Sequence, residues 1–182
     1  MASAISHAIC GLVGSRFLKS QAFSLKVTIV AMLLAMAPDI DVLGFYFHVP
    51  YGSFFGHRGF SHSLLCALLL GFIAVLIAFK EHHPLSKNGF VLWLFFTLCA
   101  VSHGVLDAMT DGGLGVAFFS PFNERRYFFP WRPIPVAPLR LHHILSVRLW
   151  AVLKYEILYI WCPLFLVWFF LAPSKRNKLN KR

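Results

Sequence analysis

Acidic residues are scarce in this chain, with only seven Asp and Glu among 182 residues. Charged residues of both signs make up 13%, against about 25% in an ordinary soluble domain. That is too little charge to clothe a water-facing surface. The four cysteines, Cys10, Cys66, Cys99 and Cys162, stand singly in apolar stretches, with no C-x-x-C pair. A zinc knuckle and a disulfide framework are therefore not indicated. The G-x-S-x-G elbow, the P-loop and the H-E-x-x-H helix are also missing, which leaves serine hydrolase, ATPase and zincin chemistry without support. No internal repeat or low-complexity tract is present.

What the chain does have is apolar bulk. Hydrophobic residues reach 58%, with twenty Phe and five Trp, more than a soluble core of this size hides. The bilayer must solvate much of the surface. Five apolar segments stand out, at 4–18, 22–37, 63–79, 89–109 and 157–172. Crossing a bilayer takes about 20 apolar residues. The third and fourth segments meet that outright, and the fifth does so if Lys154 and Tyr155 snorkel. The first two are short, and Pro38 is expected to end or kink the second. The expected fold is an all-α, multi-spanning transmembrane bundle of three to five membrane helices over residues 1–173, followed by a basic tail at 174–182. A long, irregular interfacial loop region fills 110–154. Its center, FFSPFNERRYFFPWRP, carries the Trp, Tyr and Arg that favor the headgroup level. Ala35-Met36-Ala37 has the form of a signal-peptidase site, but the following Pro38 hinders cleavage, so the N-terminus is expected to be retained.

The net charge of +10 invites a nucleic-acid reading. Its distribution argues against one. Five of the seventeen Lys and Arg crowd the last eight residues, beside an apolar run. That is a topology signal and an attraction to anionic membrane lipids.

Ionizable residues inside apolar segments are functional suspects. With the segments taken as antiparallel, His7 starts the first, and Asp39 and Asp41 end the second. His57 and His62 precede the third, His103 and Asp107 end the fourth, and Glu156 opens the fifth. All land on one membrane face, although the segments were drawn without regard to them. Ten cations take the opposite face, against seven on the ligand side. The tail is therefore expected in the cytoplasm of an inner-membrane, multi-pass protein, with the site opening outward.

His103-Gly-Val-Leu-Asp107 places imidazole and carboxylate on one helical face, suiting zinc, iron or manganese. Alone, the pair reads better as a hydrogen-bonded helix fastener. Gly56-His57-Arg58-Gly59-Phe60-Ser61-His62-Ser63 adds two histidines at the entry to the third segment, where Ser61 or Ser63 can cap the helix. Pro38-Asp39-Ile40-Asp41 adds two carboxylates in an extended x-Pro setting. Their convergence, in a chain so poor in acid, favors a metal site. His48, His82-His83 and His142-His143 read as solvated or headgroup-facing.

SHAICG, APDID, GHRGFSHS and SHGVLDAMTDGG, in that order, resemble the YdjM-type family of membrane-bound metal-dependent hydrolases. FFSPFNERRYFFPWRPIP adds to the likeness, which covers residues 3–160. The resemblance implies a helical domain similar to zinc-dependent phospholipase C. It implies metal ligands at His7, Asp39 or Asp41, His57, His62, His103 and Asp107. Glu156 would take the place of the glutamate of an H-x-x-x-E pair that this chain lacks. The family's name also links some members to the LexA repressor, so a regulatory protein partner belongs among the expectations.

The expected function is hydrolysis of a phosphoester of a lipid or lipid-linked substrate, using a divalent cation, zinc above manganese or iron. His57, His62, His103 and Asp107 are expected to form the main shell. Asp39 and Asp41 would hold a second cation or act as base. Arg58, with Arg125 or Arg126, would hold a phosphate oxygen. The alternatives are a non-catalytic protein with a structural metal or an ion-translocating cluster, and a membrane anchor for a regulatory partner.

Overall fold

The structure is a computed structural model describing residues 1–18, 24–137 and 147–171. The basic tail and His142-His143 lie outside the described residues. The elements are helices throughout, with no strand among the described residues. Helix α1 (Ala4–Ser15) and α2 (Leu25–Met36) are followed by a 3₁₀ helix, Ala37–Phe47. A short 3₁₀ turn, Phe60–His62, leads into α3 (Leu64–Ala78), and α4 (Lys87–Ala108) follows. The last helix runs as α5 (Val147–Glu156), a π-helical stretch Ile157–Trp161, and α6 (Cys162–Leu171).

Serine starts four of these helices. Ser3, Ser24, Ser63 and Ser86 each accept, through the side-chain oxygen, an otherwise orphaned backbone N–H in the first turn. With the backbone satisfied, apolar faces can meet. Val27, Ala31 and Leu34 of α2 bury against Val75 of α3 and Leu92, Phe96 and Cys99 of α4. Small residues set the spacing. A Cβ on Gly11 would meet the Ala31 carbonyl oxygen at 2.5 Å, and one on Gly71 would meet Thr97 Oγ1 at 2.6 Å. Without a hydrophobic drive between helices in lipid, such close approach is a main source of association.

Three helices are long and apolar enough to cross a membrane: Leu25–Phe47, Lys87–Ala108 and Leu149–Phe170. Their distribution differs from the sequence expectation. The α-helix of the second segment does end beside Pro38, at Met36, but the chain continues as a 3₁₀ helix, because a proline in its first turn has no N–H to withhold. Asp39 and Asp41 are consequently helical rather than extended. The third segment makes a helix of only 15 residues. The last helix begins about ten residues earlier than its apolar run, so Glu156 lies inside the span instead of opening it. Among its described residues, the loop after α4 holds two isolated bridges, Thr110 to Ile134 and Val116 to Tyr127. It packs on the site end, where Ala117 N–H donates to the Arg58 carbonyl and Leu64 N–H to that of Phe118. Phe55, Phe119, Phe122 and Trp131 point outward around that end.

Candidate metal centre

The two ends that carry ligands run the same way. Helix α2 and its 3₁₀ extension bring Asp39 beside the end of α4, while the turn before α3 brings His62 in from the side. Asp39, His62, His103 and Asp107 form one group whose ligand atoms all lie within 4.8 Å of one another. His103 Nε2 stands 3.3 Å from Asp39 Oδ1 and 4.0 Å from Asp107 Oδ2. His62 Nε2 stands 3.9 Å from Asp39 Oδ1 and 3.6 Å from Asp107 Oδ2. Ligand bonds of about 2.1 Å set tetrahedral edges near 3.4 Å, so these separations fit a metal with little movement.

The hydrogen bonding makes the same point. His62 Nε2, His103 Nε2 and both Asp39 oxygens are buried without a hydrogen-bond partner. Buried polar atoms are otherwise almost always paired. One such unpaired atom each from His62, His103 and Asp39 converges with an Asp107 oxygen, an arrangement able to hold a cation, and both nitrogens of neighboring His7 are unpaired as well.

The far sides of the ligands are held. His103 Nδ1 is 2.8 Å from the Ala35 carbonyl oxygen, and His62 Nδ1 is 3.1 Å from Asp41 Oδ2. Each imidazole is thereby oriented with Nε2 toward the centre, the outer-shell arrangement common to metal-bound histidine. Burial alone would lower the His62 pKa, but the Asp107 and Asp41 carboxylates outweigh it and raise it to about 9.

Asp41 lies one layer out. Its oxygens receive the Arg58 N–H at 3.1 Å and the Ser61 hydroxyl at 2.5 Å, and sit 2.7 Å from His57 Nδ1. With His62 added, its lone pairs are taken up by the protein. Asp41, His57 and His62 do form a second His/Asp group, but its short contacts surround the Asp41 carboxylate, a hydrogen bond with His57 and a 3.1 Å approach of His62, whose Nδ1 also lies 2.9 Å from Ser61 Oγ. His57 is therefore separated from the four-residue group by Asp41, although its Nε2 is buried and unpartnered.

His7 is fully buried, stacked on His103 with ring centroids 3.7 Å apart, its Nε2 3.5 Å from Asp107 Oδ1. It borders the group without belonging to it. Glu156 stands elsewhere. It accepts from Ser3 N–H, Ser3 Oγ and Ser6 Oγ at 2.5–2.8 Å and is in neither His/Asp group. Its oxygens are engaged at the start of α1, apart from the residues with which the sequence grouped it.

Arg58 is also placed differently from the phosphate-holding expectation. It is fully buried, with Nε donating to Asp107 Oδ2, Nη1 to the Gly112 carbonyl and Nη2 to Thr110 Oγ1. This makes it a strut for Asp107. Arg126 donates to the carbonyls of His57, Tyr51 and Ser53, and Arg125 lies over Tyr127. Sequence reasoning missed Ser3, Ser6, Ser61 and Thr110, short hydroxyl residues that carry no chemical signal of their own. Ser61 alone was visible, as a possible helix cap beside the histidines.

The family described as YdjM inner membrane protein matches residues 1–179. Inner membrane protein YbcI of Escherichia coli (strain K12) is 37% identical over 164 residues, covering 90% of this chain and 92% of that protein. No solved structure matches.

Proposed function

The chain belongs to the YdjM inner membrane protein family, and from that premise we propose that it is a membrane-bound, metal-dependent hydrolase. Its substrate class is a phosphoester of a lipid or lipid-linked molecule. The observation that carries the reading is the set of buried, unpartnered ligand atoms on Asp39, His62 and His103 around Asp107. A divalent cation, zinc in the first place, supplies Lewis acidity toward the phosphoryl group when bound there.

His62, His103 and Asp107, none of them exposed at the side chain, would hold the cation. Asp39, its carboxylate oxygens buried but its side chain the most exposed of the four at 14%, takes the proton from the attacking water. Asp41 keeps His62 in the ligating tautomer, and Arg58 keeps Asp107 aimed inward. The basic tail is cytoplasmic and the site opens to the other side of the membrane. Fusions reporting an external C-terminus would reverse that orientation.

A second reading has support in the same geometry. Four protein ligands close a tetrahedron, as in structural zinc sites, whereas catalytic zinc keeps a position open. Asp39 decides between them. Metal content by plasma mass spectrometry and phosphoesterase turnover are measured on detergent-purified wild type and Asp39→Asn. Retained metal with lost turnover supports the hydrolase. Lost metal, with no turnover in wild type on any phosphoester tried, makes the site structural.

A further inference from the structure

Glu156 is a fully buried carboxyl group inside a membrane-spanning helix, and the proposed chemistry does not use it. Such a group is costly in a bilayer and persists where it does a task. Its three donors all come from the beginning of the chain: Ser3 N–H at 2.5 Å, Ser3 Oγ at 2.5 Å and Ser6 Oγ at 2.8 Å. Ser3 is also the N-cap of α1, so the acid faces the positive end of a twelve-residue helix.

The π-helical stretch begins at the next residue and runs to Trp161. Its far end joins the same junction, because Trp161 Nε1 donates to Ser6 Oγ at 2.8 Å. In an α-helix residues five apart point about 140° away from each other. The wider π turn brings Glu156 and Trp161 round to one serine. Insertions of this kind are frequent at functional positions.

The neighboring peptide completes the connection. Ala2, fully buried, donates its N–H to Asp107 Oδ1 at 2.8 Å. The path runs from Glu156 through Ser3 to Ala2, and from there to a carboxylate of the metal centre. The rest of the last helix is lightly held, with 17% of its span buried.

The geometry points to Glu156 as a positioning residue that clasps the last membrane helix to the first turn of α1 and thereby fixes Asp107 for the metal. This rests on the metal reading of the site. The test uses full-length protein in detergent, titrated with Co²⁺ and followed by its visible d–d absorption, with affinity taken from chelator competition. Glu156→Ala and the milder Ser6→Ala are compared with wild type, and Glu156→Gln serves if the alanine variant does not fold. We expect binding about 10- to 100-fold weaker, with altered d–d bands, as for lost outer-shell partners. Labeling of Cys10, which packs against the same buried cluster as Trp161 and Tyr159, should speed up in a background with the other three cysteines replaced by serine. Wild-type affinity and spectrum in a folded Glu156 variant would overturn the positioning role. A wild type that binds no Co²⁺ would sink the metal reading and the coupling with it, and faster Cys10 labeling would then leave a helix clasp alone.

Discussion

Arg58 and Asp107, 49 residues apart, meet inside the protein at 3.0 Å, with neither side chain exposed. The same Arg58 donates its backbone N–H to Asp41 Oδ2. One residue thus grips the carboxylate that lines the metal centre and the one that orients His62. It does so from a left-handed backbone conformation, φ +63°, which costs a non-glycine residue about 1–2 kcal/mol. The contacts must outweigh that strain.

Removing Arg58 strands a buried charge. Arg58→Met is expected to destabilize the protein by about 3–5 kcal/mol, as when one partner of a buried pair is lost. Arg58→Lys should fall between, since an ammonium cannot reproduce three donors aimed at Asp107, Gly112 and Thr110. Thermal unfolding in detergent measures both. An unchanged midpoint for Arg58→Met would mean the pair does not hold the site.

The layering of the site predicts a graded metal response. His103→Ala and Asp107→Ala should reduce bound metal to background in plasma mass spectrometry. Asp41→Asn should retain it with affinity about 10- to 100-fold lower, because only orientation is lost. Equal loss in all three would place Asp41 among the ligands.

Helix approach gives a prediction independent of metal. Gly11→Ala forces a Cβ onto the Ala31 backbone and should cost about 1–3 kcal/mol by overpacking. Gly14→Ala, whose Cβ would meet only Phe95 at 3.6 Å, is the control and should be near neutral. Indistinguishable melting curves for the two variants would refute the close crossing of α1 and α2.

Metal uptake should release a proton from His62. Its imidazole, with a pKa of about 9 in the metal-free site, must lose a proton to ligate. Apparent affinity is then expected to rise about tenfold per pH unit from pH 7 toward 9 and to level off above. For the metal-free protein the sign is opposite. The stabilization from protonated His62 is complete below its ordinary pKa of about 6.5 and fades as pH rises through 9. Calorimetric titration in buffers of different ionization enthalpy counts the protons, and a pH-independent affinity would contradict the assignment.

The helical, membrane-embedded character was legible from composition, and the gathering of His and Asp at one end followed from tracing antiparallel segments. What the sequence could not separate were the parts played by Asp39 and Asp41. Two residues apart, they look interchangeable until the 3₁₀ twist sends one to the metal centre and the other behind His62. Asp39 thus takes the place in the inner group that the sequence assigned to His57, because Asp41 draws His57 off by its Nδ1. Glu156 was legible as an important acid. Its partners were not, because Ser3 and Ser6 lie 153 and 150 residues away. The start of the last helix was hidden by Arg148 and Lys154, polar residues that break an apolar run without breaking a helix.

The 3₁₀ continuation of α2 fixes a depth. Twelve α-helical residues advance about 18 Å, and eleven in 3₁₀ geometry about 22 Å more. The combined rod of about 40 Å outruns a hydrocarbon layer of about 30 Å. If Lys26 sits at one boundary and the rod stands upright, Asp39 comes about 21 Å beyond it, roughly 9 Å short of the other boundary. Tyr46 and Phe47 then reach into the headgroups. On the hydrolase reading proposed above, a center at that depth makes the acyl-chain length of the surrounding lipids a variable of its chemistry, governing how far a polar group must dip, or how much the leaflet must thin, before the two can meet.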